Sequence, residues 1–204
     1  GAVVGGLMAA NQLLDSPLSK EELLPLAIEM EGHGDNATAA LFGGCQIVLK
    51  NEETFFHFPV PVASGLKAVL FIPDFTMSTA KGRRILPAQV FRSDAVYNIG
   101  RAALLVLALS SGKIDYLKVA TQDRLHQPDR KALFPAMDEI FQAAMEAGAA
   151  GAFLSGSGST IMALSRGGNH AGEIAQAMEK AAHAKNVGGR SKIVAFASEG
   201  AEII

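Results

Sequence analysis

Three stretches of the chain and one isolated arginine carry the residues that could do chemistry. Glu31-Gly32-His33-Gly34-Asp35-Asn36 packs two carboxylates, an imidazole and an amide into six residues. A carboxylate such as Glu31 is the hard oxygen ligand that magnesium prefers. His33, Asp35 and Asn36 can hydrogen-bond the ammonium and hydroxyl of a small polar molecule. The plainer alternative is that Asp35 or Asn36 caps a helix starting at residue 37. Arg83 stands just before Ile85-Leu86-Pro87, and Arg130 closes Asp123-Arg124-Leu125-His126-Gln127-Pro128-Asp129-Arg130. A guanidinium is a planar fork that takes a carboxylate through two parallel bonds, so two of them on one pocket would suit an amino acid. Taken singly, each also reads as a solvated surface charge. Ser155-Gly156-Ser157-Gly158-Ser159-Thr160 lies between the apolar runs 151–154 and 161–164. Hydroxyls and glycines at this density make a tight loop whose amides can approach an anion, or else a simple turn. The loop lacks the Gly-Lys-Ser/Thr of a Walker loop and opens no helix. No Ser–His–Asp hydrolase signature surrounds it.

Composition excludes several classes. Of 204 residues, 49% are hydrophobic and 19% charged, which predicts a sizeable core rather than disorder. The formal charge of -2 offers no basic surplus for a phosphate backbone, so no nucleic-acid partner is expected. No apolar run approaches a membrane span, and no membrane association is expected. Cys45 is the single cysteine, which rules out a disulfide within the chain and fits a reducing, cytoplasmic setting. His57, His126, His170 and His183 lack metal-ligand spacing.

The elements that must position these residues follow from periodicity. Ala2 to Leu14 reads as a helix of small and apolar residues. Ser19-Lys20-Glu21-Glu22 is a capping box opening a second helix to about Met30. A short helix covers 37–42, and strands at 45–49 and 54–58 form a hairpin. The Pro- and Gly-bearing stretch 59–65 is the predicted domain junction. Then come a strand at 66–72, a short helix capped by Ser78 or Thr79 that carries Arg83 and Arg84, and a long helix over 89–110. That helix has apolar positions at Val90, Ala95, Val96, Ile99, Ala102, Ala103, Val106 and Leu109. Helices near 113–121 and 134–147 follow. The tail alternates: strand 150–154, the loop, strand 160–164, helix 171–184, strand 191–197 and a last strand at 201–204. From residue 66 the order is the split pattern of a ferredoxin-like α+β sandwich.

Together these motifs resemble the homoserine kinases of the GHMP kinase superfamily. Glu31 to Gly44 is similar to their substrate-and-metal turn, and Arg83-Arg84-Ile85-Leu86-Pro87 to their Arg-x-x-Leu-Pro segment. Asp123-Arg124-Leu125-His126-Gln127-Pro128-x-Arg130 resembles a segment characteristic of homoserine kinases within the superfamily, and Ser155–Thr160 the superfamily's third motif. The resemblance implies a two-domain α+β GHMP kinase fold. Residues 1–62 would be what remains of a ribosomal protein S5 domain 2-like, ATP-binding N-terminal domain, and residues 63–204 a ferredoxin-like α/β sandwich. It implies transfer of the ATP γ-phosphoryl group to the side-chain hydroxyl of L-homoserine in threonine biosynthesis.

Carried over residue by residue, His33, Asp35 and Asn36 would contact homoserine. Arg83 and Arg130 would hold its carboxylate and offset charge in the transition state. Gly156, Ser157, Gly158 and Ser159 would lie against substrate and nucleotide phosphates. Glu31, with Glu29 as rival, would bind Mg2+. Asp35 is the residue to test as a base, although the hydroxyl proton is expected to pass to the phosphate. The implied partners are L-homoserine and ATP, and a homodimer is compatible with the resemblance.

The departures are specific. The superfamily's second motif, Gly-Leu-Gly-Ser-Ser, is expected immediately upstream of Gly1, and Gly1 to Leu14 reads as the body of the helix behind it. The chain is therefore expected to be N-terminally truncated and inactive alone. Gly34 and Ser159 stand where proline is usual. Two other readings stay open: another GHMP kinase of the mevalonate or shikimate type, or a non-catalytic amino-acid-binding module should the truncation be natural.

Overall fold

The computed structural model describes residues 1–167 and 170–203. The elements run α1 (Ala2–Leu13), α2 (Lys20–Glu31), α3 (Asp35–Phe42), β1 (Cys45–Asn51), β2 (Thr54–Val60), β3 (Lys67–Pro73), α4 (Thr79–Arg84) and α5 (Arg92–Ser111). They continue with α6 (Leu117–Ala120), α7 (Gln127–Arg130), α8 (Met137–Glu146), β4 (Gly151–Leu154), β5 (Ile161–Ser165), α9 (His170–Ala184) and β6 (Gly189–Ala195). Two compact units result: Gly1–Val62 together with the tail from Phe196, and Ala63–Ala195. Among the described residues no helix is long and apolar enough to cross a membrane.

In the first unit, the capping box opens α2 as expected. Ser19 Oγ accepts from the Glu22 N–H at 3.2 Å, and the Ser19 N–H donates to Glu22 Oε2 at 2.8 Å. Leu23, Leu24, Ala27 and Ile28 fall on one face of α2 and pack with Val4, Ala37 and Leu41. β1 and β2 pair antiparallel from Cys45↔Val60 to Asn51↔Thr54. The strand thus runs through Pro59, which the sequence assigns to a junction. Both strands of a two-stranded ribbon are edges, so the missing N–H is tolerated.

The tail returns to this unit. The Gly44 N–H donates to the Ala197 carbonyl, and the Ala201 N–H to the Ala40 carbonyl near the end of α3, both at 2.9 Å. Gly43 and Gly200 cross so closely that a Cβ on either would overlap the other segment's backbone. The strand expected at 201–204 does not form over 201–203, where the chain instead serves a helix end. Ile204 lies outside the described residues.

The second unit is a four-stranded antiparallel sheet in the order β4-β5-β3-β6. With β3 and β5 central and crossovers through α8 and α9, this is the expected ferredoxin-like arrangement. Val69, Phe71, Ile140, Ile161, Ile174 and Met178 are fully buried between the helices and the sheet. The helix expected over 134–147 begins only at Met137. Phe134 precedes Pro135 and is held out of the helical region, at φ -143° and ψ 77°.

The long helix α5 forms where expected, but most of its apolar positions lie outside the core. Only Ala108 and Leu109 are buried, while Val96 is 62% and Ile99 69% exposed. A polar edge orients this helix instead. Tyr97, Asn98 and Arg101 hydrogen-bond side chains of Gln122 and Asp123.

Candidate active site

In the first unit, α2 ends at Glu31 and Gly32 turns the chain at φ 73°. The next helix starts at Asp35, so Asp35 and Asn36 are its first residues rather than caps for residue 37. Asp35 Oδ1 accepts the Asn36 N–H at 2.8 Å. It also lies 2.8 Å from His33 Nδ1, at an angle outside hydrogen-bonding geometry. Asp35 remains largely exposed and its charge suits the positive first turn of α3. The turn therefore presents an imidazole, a carboxylate and an amide within four residues, with capacity left for a ligand.

Glu31 and Glu29 are two positions apart on α2 and so point to different faces. Glu29 is exposed. Glu31 is 15% exposed and lies 3.7 Å from the Gly1 nitrogen at the start of α1. Among the described residues no three metal-binding side chains cluster. Magnesium in phosphoryl-transfer sites takes one or two carboxylates and completes its shell with phosphates and water, so a single largely buried carboxylate fits it.

In the second unit, Arg130 is the organising side chain. Its Nε donates to the Gly82 carbonyl in α4 at 3.3 Å and its Nη1 to the Gly156 carbonyl in the Ser-Gly loop at 2.8 Å. It is 9% exposed, and among the described residues Nη2 is bonded to none, which leaves one arm for a ligand. Burial depresses its affinity for the proton. The charge of Asp123 opposes that effect, and the nearby Arg83 guanidinium adds to it. Arg83 itself is exposed on α4. The loop is fixed to its surroundings by hydroxyls. Ser157 Oγ donates to Thr79 Oγ1 at 3.3 Å, and Ser159 Oγ to the Phe75 carbonyl at 2.7 Å. Gly156 and Gly158 adopt positive φ of 58° and 87°, which favours glycine. Arg83, Arg130 and Gly156 to Ser159 thus form one cluster joining α4, α7 and the loop.

Sequence reasoning missed the residues behind Arg130. Asp123 accepts four hydrogen bonds, from Asn98 Nδ2 (2.6 Å) and the N–H groups of Leu125 (2.9 Å), His126 (2.9 Å) and Gln127 (2.5 Å). Burial works to raise its pKa. The backbone donor of Gln127, then Asn98, Leu125 and His126, outweigh that and hold the carboxyl below its ordinary value. The guanidiniums of Arg124 and Arg101 lie 3.9 Å and 3.0 Å from the centroid of the Tyr97 ring. The available signal was a run of polar residues on an otherwise apolar helix. His57, by contrast, stacks on Phe42 with ring centroids 3.9 Å apart, a packing role. Burial pushes the Cys45 thiol pKa up, as for an unreactive half-buried residue.

Comparison with known proteins identifies the family. The family model for the GHMP kinases N terminal domain matches residues 1–44, and that for GHMP kinases C terminal matches residues 108–184. The fold and motifs are those of a GHMP kinase. A homoserine kinase of Desulfitobacterium hafniense is 41% identical over 203 residues, covering 100% of this chain and 68% of that protein. One of Microchaete diplosiphon is 46% identical over 180 residues, covering 88% of this chain and 58% of its own length. The crystal structure of homoserine kinase from Cytophaga hutchinsonii superposes with a TM-score of 0.91 at 34% identity, covering 98% of this chain and 65% of that one. Within the superfamily, the chain belongs to the homoserine kinase family. It spans between about half and two-thirds of the length of the curated relatives it matches.

Proposed function

We propose that the protein to which this chain belongs phosphorylates the side-chain hydroxyl of L-homoserine with ATP, giving O-phospho-L-homoserine. The hydroxyl oxygen bonds to the γ-phosphorus as the bond to the β-phosphate oxygen breaks and ADP departs. Such a transfer needs positioning and charge stabilisation more than covalent help. Arg130 and Arg83 hold the amino-acid carboxylate and offset charge in the transition state. His33, Asp35 and Asn36 bind the ammonium and hydroxyl. Gly156, Ser157, Gly158 and Ser159 lie against the phosphates. The hydroxyl proton passes to the phosphoryl oxygens, with Asp35 as the residue to test for a base. Glu31 would hold the Mg2+, whose charge neutralises the phosphates when bound. A cytoplasmic location and a homodimer belong to the same reading.

The observation that carries it is the 41% identity with the Desulfitobacterium hafniense homoserine kinase across 203 residues. The mevalonate-type alternative is not favoured, because relatives named homoserine kinase match at 41–48%. The test is a substrate panel with ATP and Mg2+ on the full-length protein. Homoserine is expected to be turned over far faster than mevalonate or shikimate. Turnover of either of those in its place would overturn the assignment.

A further inference from the structure

We propose that Gln127 is a positioning residue that, held by Asn98 and Asp123, fixes the Ser155–Thr160 loop relative to Arg130. This rests on the proposed kinase reading for its kinetic consequences, but its structural basis is independent.

β4 is the edge strand of its sheet. Leu154 pairs with Ile161 on the inner side, and the next residue, Ser155, donates inward to the Thr160 carbonyl at 2.9 Å. Successive amides alternate in direction, so the Leu154 N–H points out of the free edge, where an unpaired donor is costly. Gln127 Oε1 accepts it at 2.8 Å. Two residues further along, the Gly156 carbonyl takes Arg130 Nη1. Gln127 and Arg130 are the two ends of α7, a helix of one turn closed by the Arg130 N–H on the His126 carbonyl at 3.1 Å. The helix therefore grips the chain at 154 and at 156, on either side of the point where strand becomes loop.

A four-residue helix has little stability of its own. Its geometry comes from Asp123, whose carboxylate collects three consecutive N–H groups, 125 to 127. Asn98 on α5 completes the frame. Its amide donates to Asp123 Oδ1, and its oxygen accepts the Arg124 N–H at 2.9 Å. The approach is close behind the strand as well. A Cβ at Gly151 would lie 2.9 Å from the Thr121 side chain and 3.1 Å from the Leu117 carbonyl, so only glycine lets α6 reach β4. The train runs Asn98, Asp123, Gln127, Leu154, and Arg130 works from the same helix. None of Asn98, Asp123 or Gln127 needs to touch substrate to set where Arg130 and the loop stand.

The test uses the full-length protein with Gln127→Met, which keeps volume and removes the acceptor, and Asn98→Ala as a milder second variant. Kinetics for homoserine and ATP are read beside amide hydrogen exchange at Ser155 and Gly158, both bonded within the loop. Gln127→Met is expected to raise KM for homoserine about fivefold and lower kcat/KM about tenfold, a size typical of one lost positioning contact. Exchange at both amides should quicken, and Asn98→Ala should move every readout the same way by less. A purely structural loss would lower active enzyme, hence kcat, and leave KM alone. In an Arg130→Ala background, Gln127→Met should cost less than about twofold, because residues acting through one another are not additive. An equal cost in both backgrounds, or unmoved KM and exchange, overturns the proposal. If homoserine is not a substrate, the kinase reading fails alone, and exchange in the two variants still decides the positioning role.

Discussion

Replacing Asp123 by Asn tests whether the carboxylate is what shapes the turn before Arg130. The substitution keeps the size and removes the charge. Oδ1 accepts from Asn98 and Leu125, and Oδ2 from His126 and Gln127, so the new NH2 meets two donors whichever way the amide turns. Two hydrogen bonds are lost and the other two fall from charge-assisted to neutral strength. Bonds to a charged group are worth about 1.5–3 kcal/mol each and neutral ones about 0.5–1.5. The side chain is 13% exposed, so some of the loss is recovered by relaxation toward water. The two lost bonds alone set the scale, so the expected net destabilisation is more than about 3 kcal/mol, read as a lower urea midpoint with an unchanged slope. The pH dependence follows from the lowered pKa of Asp123. Its contribution is fully present above the ordinary carboxylate pKa and is lost as pH falls through the lowered folded value. Wild type and variant should therefore differ by a constant amount near neutrality and converge in acid. A difference under about 0.5 kcal/mol at pH 7, or a gap that does not close in acid, would refute the reasoning.

Two further outcomes are expected. Glu31→Gln in the full-length protein should raise the Mg2+ concentration needed for half-maximal activity about tenfold, with secondary structure by circular dichroism unchanged; an unaltered Mg2+ titration would remove Glu31 as the ligand. Gly43→Val should destabilise the first unit by more than about 3 kcal/mol, because both its left-handed φ of 79° and the crossing with Gly200 exclude a side chain; thermal melts that match wild type would contradict it.

Local chemistry was legible wherever it is written in neighbouring residues. The capping box at Ser19–Glu22, the hairpin and the succession of strands and helices in the second unit all follow from short-range pattern, and the structure bears them out. The helix α5 itself was legible, but periodicity finds an apolar stripe without saying what faces it. The polar partners of Tyr97 and Asn98 lie about 25 residues away, at Gln122 and Asp123. The same distance hid the frame around Arg130. Its own position in the motif was plain, but its bonds to Gly82 and Gly156 span 48 and 26 residues. The helix start at Asp35 was misjudged for another reason: the residue is a good cap by type, yet its oxygen bonds the adjacent N–H instead.

The crossing of Gly43 with Gly200 also sets an order of events during translation. Residues 63–195 form one unit that is continuous in sequence. The bonds from the tail to Gly44 and to the end of α3 cannot form until residues 197–201 have left the ribosome. At about 5–20 residues per second, the helices of the first unit wait on the order of ten seconds for that last contact. Over this interval the end of α3 is open to chaperones and proteases.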